Sequence, residues 1–336
     1  MSSIGDDAPA TSHATVLVLF GIVEIAAGVL YLAKAVIYAL LSVPGVASLP
    51  ARYGGLEVPL LETAVSLPPA SFFLAIGFGS ILARRWARAL ALAFSALWLA
   101  AGTLGTVFLA FCLPRIFAAL KPLSEPAARS VSLSPEIRAY ACIALVGVVL
   151  PGASVLFYAS RATKAECERR DPDERWTDRV PLAALATAML LAVGALLALD
   201  LGFSPSRQIL FFGHPLGAGA RAAAAAVAAV EIAAAWGVCR MDRRAWAAAA
   251  AVMALRGAAD AAIALRIART GLGAIAAAAG PVRPESRAAI ERLEPLHPLG
   301  MVAAFVTALA IAAFAFVGWN ALRFGRARAR AAADSP

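Results

Sequence analysis

The chain is 336 residues long, 61% hydrophobic and only 15% charged, with a mean hydropathy of +0.78. A soluble monomer of this size cannot keep so much apolar surface out of water, so lipid is the expected solvent. A net charge of +9 would suit nucleic acid, but the basic residues are dispersed at the ends of apolar runs with no aromatic surface among them. Contact with anionic headgroups accounts for them, and nucleic acid is not an expected partner.

Crossing roughly 30 Å of hydrocarbon takes about 20 apolar residues at a rise of about 1.5 Å each. Eight stretches meet that length, and the fold class they predict is all-α, a polytopic membrane bundle of eight transmembrane helices. Residues 1–14 are polar, carry Asp6 and Asp7 and lack the positive start of a cleaved signal peptide, which predicts a cytoplasmic tail and a retained first helix. The first run covers 15–41. The second, 60–83, contains Pro68-Pro69, where a kink is expected. The third covers 87–113. Ser134-Pro135-Glu136 then offers an N-cap, a proline at the first helical position and an acid in the first turn. It opens a fourth run, 137–158, in which Pro151 predicts another kink whose freed carbonyl a neighbouring helix must satisfy.

Residues 161–180 alternate Arg161, Lys164, Arg169, Arg170, Arg175 and Arg179 with Glu166, Glu168, Asp171, Asp173, Glu174 and Asp178, the pattern of a charged, solvated cytoplasmic tether that can dock a partner. The second half repeats the plan with runs at 181–201, 216–239, 246–267 and 299–322. His214-Pro215 and His297-Pro298 read as helix starts with proline at N1; two histidines without further ligands make a poor zinc site, and no metal or other cofactor is expected. A basic tail, 324–336, ends the chain.

Lys and Arg collect on one side of this arrangement, at Arg84, Arg85 and Arg88, at Arg240, Arg243 and Arg244, in the linker and in the tail. The positive-inside rule makes that side the cytoplasm and puts both termini there, in a cell (inner) membrane. The opposite segments 117–130 and 284–296 mix apolar and charged residues at helical spacing, as surface-lying helices or ordinary loops do. Cys112 and Cys142 fall near the outer ends of the third and fourth runs; a disulfide is conceivable there, but their depths differ by about 6 Å, and buried small hydrophobes are the simpler reading.

Gly77-Phe78-Gly79 followed by Arg84-Arg85-Trp86-Ala87-Arg88 is answered by Trp236-Gly237-Val238 followed by Arg243-Arg244-Ala245-Trp246. Trp suits the headgroup level that adjacent arginines reach, and glycine lets backbones approach. The expected organisation is two parallel four-helix repeats, 15–160 and 181–323, since an even number of spans gives both the same orientation. With Gly102-Thr103 in the following helix, the first hairpin resembles uncharacterised small bacterial four-span membrane proteins. That resemblance implies a fold type and no activity, and the second half lacks its Trp-Ala-Arg and Gly-Thr features.

Ionisable groups inside a bilayer are costly and must name a partner. Glu24 and Lys34 interrupt the first run, Glu231 the sixth, Arg256 and Asp260 the seventh. Glu24, Glu231 and Arg256 lie at similar depth, and Arg256 and Asp260, spaced i,i+4, can meet on one helix face. Lys34 is placed to snorkel to the outer boundary. The expected binding residues are therefore Glu24, Glu231, Arg256 and Asp260. Either they clamp the first, sixth and seventh helices together, or they take up a proton, cation or anion between the repeats, or the span limits differ and some stand in water. No nucleophile with a base, metal triad or phosphate cradle occurs, so no enzyme is expected. The expected role is non-catalytic, structural or partner-binding, with the bilayer and a membrane protein or second copy as partners; the alternative is a small-solute or proton-coupled transporter using Glu24, Glu231 and Arg256.

Overall fold

The computed structural model of the protein describes residues 11–42, 57–120, 135–203, 210–211, 214–215, 219–278, 305, 308–320 and 323. A backbone crossing lipid must satisfy its own hydrogen bonds, which a helix does within one segment. In chain order the helices are α1 (Thr11–Leu41), α2 (Glu57–Ile81), α3 (Arg85–Leu120), α4 (Pro135–Ala144), a π-helical segment (Leu145–Val149), α5 (Leu150–Ala159), α6 (Arg161–Arg170), α7 (Trp176–Arg179), α8 (Leu182–Phe203), α9 (Gly219–Cys239) and α10 (Arg243–Ala278). A further helix, α11 (Ala308–Asn320), follows.

Among the described residues, six helical stretches are long and apolar enough to cross a membrane: His13–Leu41, Glu62–Ile81, Arg85–Ala110, Tyr140–Ala159, Leu182–Asp200 and Arg221–Cys239. They fall on the first six expected runs. At the seventh, α10 has 36 residues and is about 54 Å long, but it is not among the six; at the eighth, the described stretch Ala308–Asn320 is an apolar helix shorter than a span. Large apolar side chains such as Leu19, Leu30, Leu156 and Leu197 stand exposed on these helices, as lipid-facing residues do.

The chain divides into two compact units, Met1–Ala96 with Gly152–Ala186, and Leu97–Pro151 with Thr187–Pro336. In the first, α1 lies along α2. A methyl on Gly21 would stand 2.7 Å from the Gly77 carbonyl oxygen, and one on Gly77 2.8 Å from that of Gly21, so hydrogen at both positions lets the two backbones touch. In the second, α9 packs on α10, and α3 meets the π segment where Gly102 rests on the Gly147 carbonyl.

Local details follow from proline chemistry. α2 runs as one helix through Pro68 and Pro69. Ahead of Pro151, which has no N–H to give to Gly147, Leu150 donates five residues back to the Leu145 carbonyl, and the helix widens into the π turn. His214-Pro215 does not start a helix: it pairs antiparallel with Leu210–Phe211, two residues on each side, and α9 begins at Gly219.

Residues 161–180, most of them exposed, carry the short helices α6 and α7. Ser160 accepts a hydrogen bond from the Thr163 amide at 3.2 Å and starts α6, and Asp178 accepts one from the Arg175 amide at 2.9 Å at the start of α7. Glu166, Cys167, Asp171 and Thr177 are buried. The 1–10 part of the N-terminal tail, most of 117–130, the segment 284–296, His297-Pro298, the Cys112 side chain and the tail 324–336 lie outside the described residues.

Candidate functional site

Two short turns with the same backbone chemistry organise the polar groups. α2 ends with Ala83 at φ 50°, its N–H on the Ser80 carbonyl at 3.0 Å and the Arg84 N–H on the Gly79 carbonyl at 2.8 Å. α9 ends with Met241 at φ 59°, its N–H on the Val238 carbonyl at 2.9 Å and the Asp242 N–H on the Gly237 carbonyl at 3.0 Å. This paired bonding closes a helix through one left-handed residue, which normally favours glycine. A methyl on Gly79 would collide with Ala87 Cβ, and one on Gly237 with Ala245 Cβ. Each glycine therefore lets the next helix leave at close range.

The two turns start their following helices differently. Asp242 accepts from the Arg244 amide at 3.0 Å and caps α10 itself. At the matching place α3 has Arg84, which cannot accept, and Asp171 from the linker takes over, receiving the Arg85 amide at 3.3 Å. Asp171, 1% exposed, also holds Arg175 at 2.6 Å and Arg84 at 3.4 Å. The Arg175 guanidinium, helped by the Arg85 amide and Arg84, keeps its carboxyl below the usual aspartate range against the cost of burial. Burial pushes the Glu166 carboxyl up, but Arg169 and Arg170, at 2.7 and 2.6 Å, outweigh it and leave it below the usual glutamate value. Burial, aided by the nearby Glu166 and Asp171 carboxylates, drives the Cys167 thiol up to about 11, which makes it an inert core group.

Within the first unit, Glu24 of α1 meets two hydroxyls. Ser80 Oγ donates to its Oε2 at 2.8 Å and Tyr158 OH to its Oε1 at 2.9 Å, while the two hydroxyls stand 2.9 Å from each other. Phe20 and Phe157, stacked 4.6 Å apart, flank Tyr158. Lys34, expected to snorkel, instead pairs with Glu62 of α2 at 2.8 Å and lies 5.7 Å from the Tyr38 ring.

Within the second unit, Glu231 of α9 is 0% exposed and faces Arg256 of α10, Nε to Oε1 at 2.7 Å and Nη2 to Oε2 at 2.7 Å. Nη2 also donates to the Gly194 carbonyl of α8 at 2.6 Å. Asp260, the expected i,i+4 partner of Arg256, makes no ion pair with it among the described residues, because the guanidinium turns to the neighbouring helices. Of the four expected residues the structure thus joins Glu231 to Arg256, and Glu24 is bonded within the first unit. Ser80, Tyr158, Gly194 and Glu62 carry no sequence signal that sets them apart. Among the tryptophans of the second turn, Trp246 is buried, and the exposed one is Trp236, with Arg240 4.9 Å from its ring.

No protein-family model, curated protein or solved structure matches this chain.

Proposed function

We propose that the protein is an integral inner-membrane bundle of eight spans in two parallel four-helix repeats, 15–160 and 181–323, with both termini cytoplasmic, and that it serves without catalysis as a structural or partner-binding component. On this reading α10 and α11 are the seventh and eighth spans. The repeat is supported by the register of the turns: Gly79, Ala83 and Ala87 recur 158 residues later as Gly237, Met241 and Ala245 in the same roles. The likeness of the first hairpin to four-span bacterial membrane proteins belongs to the same proposal.

The Glu231–Arg256 pair with the Gly194 carbonyl carries the non-catalytic reading. Carboxylate and guanidinium neutralise each other while tying α8, α9 and α10, which is the chemistry of an interhelical clamp. The partner is a membrane protein or a second copy. The second reading, a small-solute or proton-coupled transporter, draws support from Glu24, whose carboxyl meets hydroxyls and no cation among the described residues.

Purified protein and the Arg256→Leu variant, reconstituted in lipid vesicles, separate the two. The clamp reading expects a destabilised variant and no proton or ion flux from the wild type above empty vesicles. A fully stable Arg256→Leu protein that loses a flux the wild type displays would overturn it.

A further inference from the structure

Glu24, Ser80 and Tyr158 make three oxygen–oxygen contacts of 2.8, 2.9 and 2.9 Å. Each contact at that length needs one hydrogen. The two hydroxyls supply two, and an ionised carboxylate supplies none. With Glu24 charged, both hydroxyls point at it, and the Ser80–Tyr158 contact becomes two lone-pair oxygens facing each other without a hydrogen. One additional proton on Glu24 removes the deficit. Its Oε2–H then donates to Ser80, Ser80 donates to Tyr158, and Tyr158 donates to Oε1, so every group gives one bond and takes one. The reverse sense is equally complete.

The surroundings leave that proton without competition. Ser80 and Tyr158 are 1% and 0% exposed, Glu24 is half-buried, and no cation lies at ion-pair distance from Glu24 among the described residues. The packed neighbours come from each adjoining element. α2 contributes Ser80, and Arg84 beyond its end is engaged by Asp171. α5 contributes Tyr158, and α6 contributes Cys167, which shares a cluster with Tyr158, Leu17, Ala83 and Ala91. Arg88 of α3 makes no ion pair with Glu24 among the described residues.

We propose that Glu24, Ser80 and Tyr158 form a proton site in which the half-buried Glu24 carries a proton at neutral pH and the three side chains pass it around a closed ring. Uptake converts the carboxylate and a hydronium ion from water into a carboxylic acid and a water molecule, and reversal of the ring lets a proton that enters at one carboxyl oxygen leave from the other. The site goes beyond the clamp reading, because it holds its proton whether or not the bundle serves a partner.

Infrared spectra of the full chain in phosphatidylcholine vesicles at neutral pH test it. The wild type is expected to give a carboxylic-acid carbonyl band that shifts in deuterated water, disappears in Glu24→Gln, and moves to higher frequency in Tyr158→Phe, where the carbonyl loses its donor. A carboxylic region identical in wild type and Glu24→Gln overturns the proposal. Should Glu24→Gln fail to fold, the Tyr158→Phe and Ser80→Ala proteins decide, and a band unmoved in both overturns it equally.

Discussion

Gly194 stands where it does because of Glu231: a methyl group on Gly194 would lie 3.0 Å from Glu231 Oε1 and 3.3 Å from Cδ. The carboxylate is held in place, since Arg256 bonds its Oε2 and stands at ion-pair distance from its Oε1. In an ordinary helix Gly→Ala gains up to about 1 kcal/mol, but crowding of this kind costs about 1–3 kcal/mol. Gly194→Ala is therefore expected to lower stability in detergent-unfolding measurements. In a Glu231→Ala/Arg256→Leu background the same substitution is expected to be neutral or stabilising, and an unchanged penalty there would refute the steric account.

Asp171 is the second point of leverage. Asp171→Asn keeps an oxygen for the Arg85 amide but gives up the charge that gathers Arg175 and Arg84, whereas Asp171→Ala loses both. A lost cap is worth about 1 kcal/mol, so the alanine variant is expected to be the less stable by roughly that amount. The depressed folded-state pKa fixes the sign with pH. The stabilisation is complete above the usual aspartate pKa of about 3.9 and is lost as pH falls through the lower folded value. Acid unfolding of wild type and Asp171→Asn should converge in that range, and parallel curves would contradict it.

Six of the eight expected helix positions were legible because apolar length is local. Pro135 opens α4, and Pro151 sits directly after the π turn, in the helix where a kink was expected. Partners were not legible, because they are set by the fold. Ser80 and Tyr158 lie 56 and 134 residues from Glu24, and Asp171 lies 86 from Arg85. The i,i+4 rule placed Asp260 beside Arg256, yet a long guanidinium reaches the adjacent helix, where the wholly buried Glu231 needs its charge more. In sequence the Arg-Arg pairs match each other, Arg84 to Arg243 and Arg85 to Arg244. On the proposed repeat, the left-handed residues and the glycine–alanine contacts favour a register one residue away, pairing Arg85 with Arg243 and Arg84 with Asp242.

That register is testable by exchange. Gly79→Ala and Gly237→Ala each place a methyl onto Ala87 or Ala245 and are expected to lose about 1–3 kcal/mol. The swaps Gly79→Ala/Ala87→Gly and Gly237→Ala/Ala245→Gly move the methyl across the same contact and are expected to recover a large part of the loss in thermal unfolding. Recovery in one turn alone would show that the two contacts are not equivalent.

Gly102 and Gly147 face each other but are not expected to tolerate change equally. A methyl on Gly102 would run into the carbonyl carbon and oxygen of Gly147, backbone atoms of a π turn that Pro151 has already stripped of one donor. Nothing there can rotate away, so relief requires the helices to part, and the loss belongs at the upper end of overpacking costs, about 3 kcal/mol or more. A methyl on Gly147 meets the Thr106 hydroxyl at 3.1 Å and Gly102 atoms no closer than 3.3 Å. A side chain can give by a few tenths of an ångström where a backbone cannot. Gly147→Ala is therefore expected to be mild, and milder still in combination with Thr106→Ala, which removes the nearest atom. Thermal unfolding of the four proteins orders them, and a Gly147→Ala penalty equal to that of Gly102→Ala would mean that the carbonyl contact does not set the spacing of these helices.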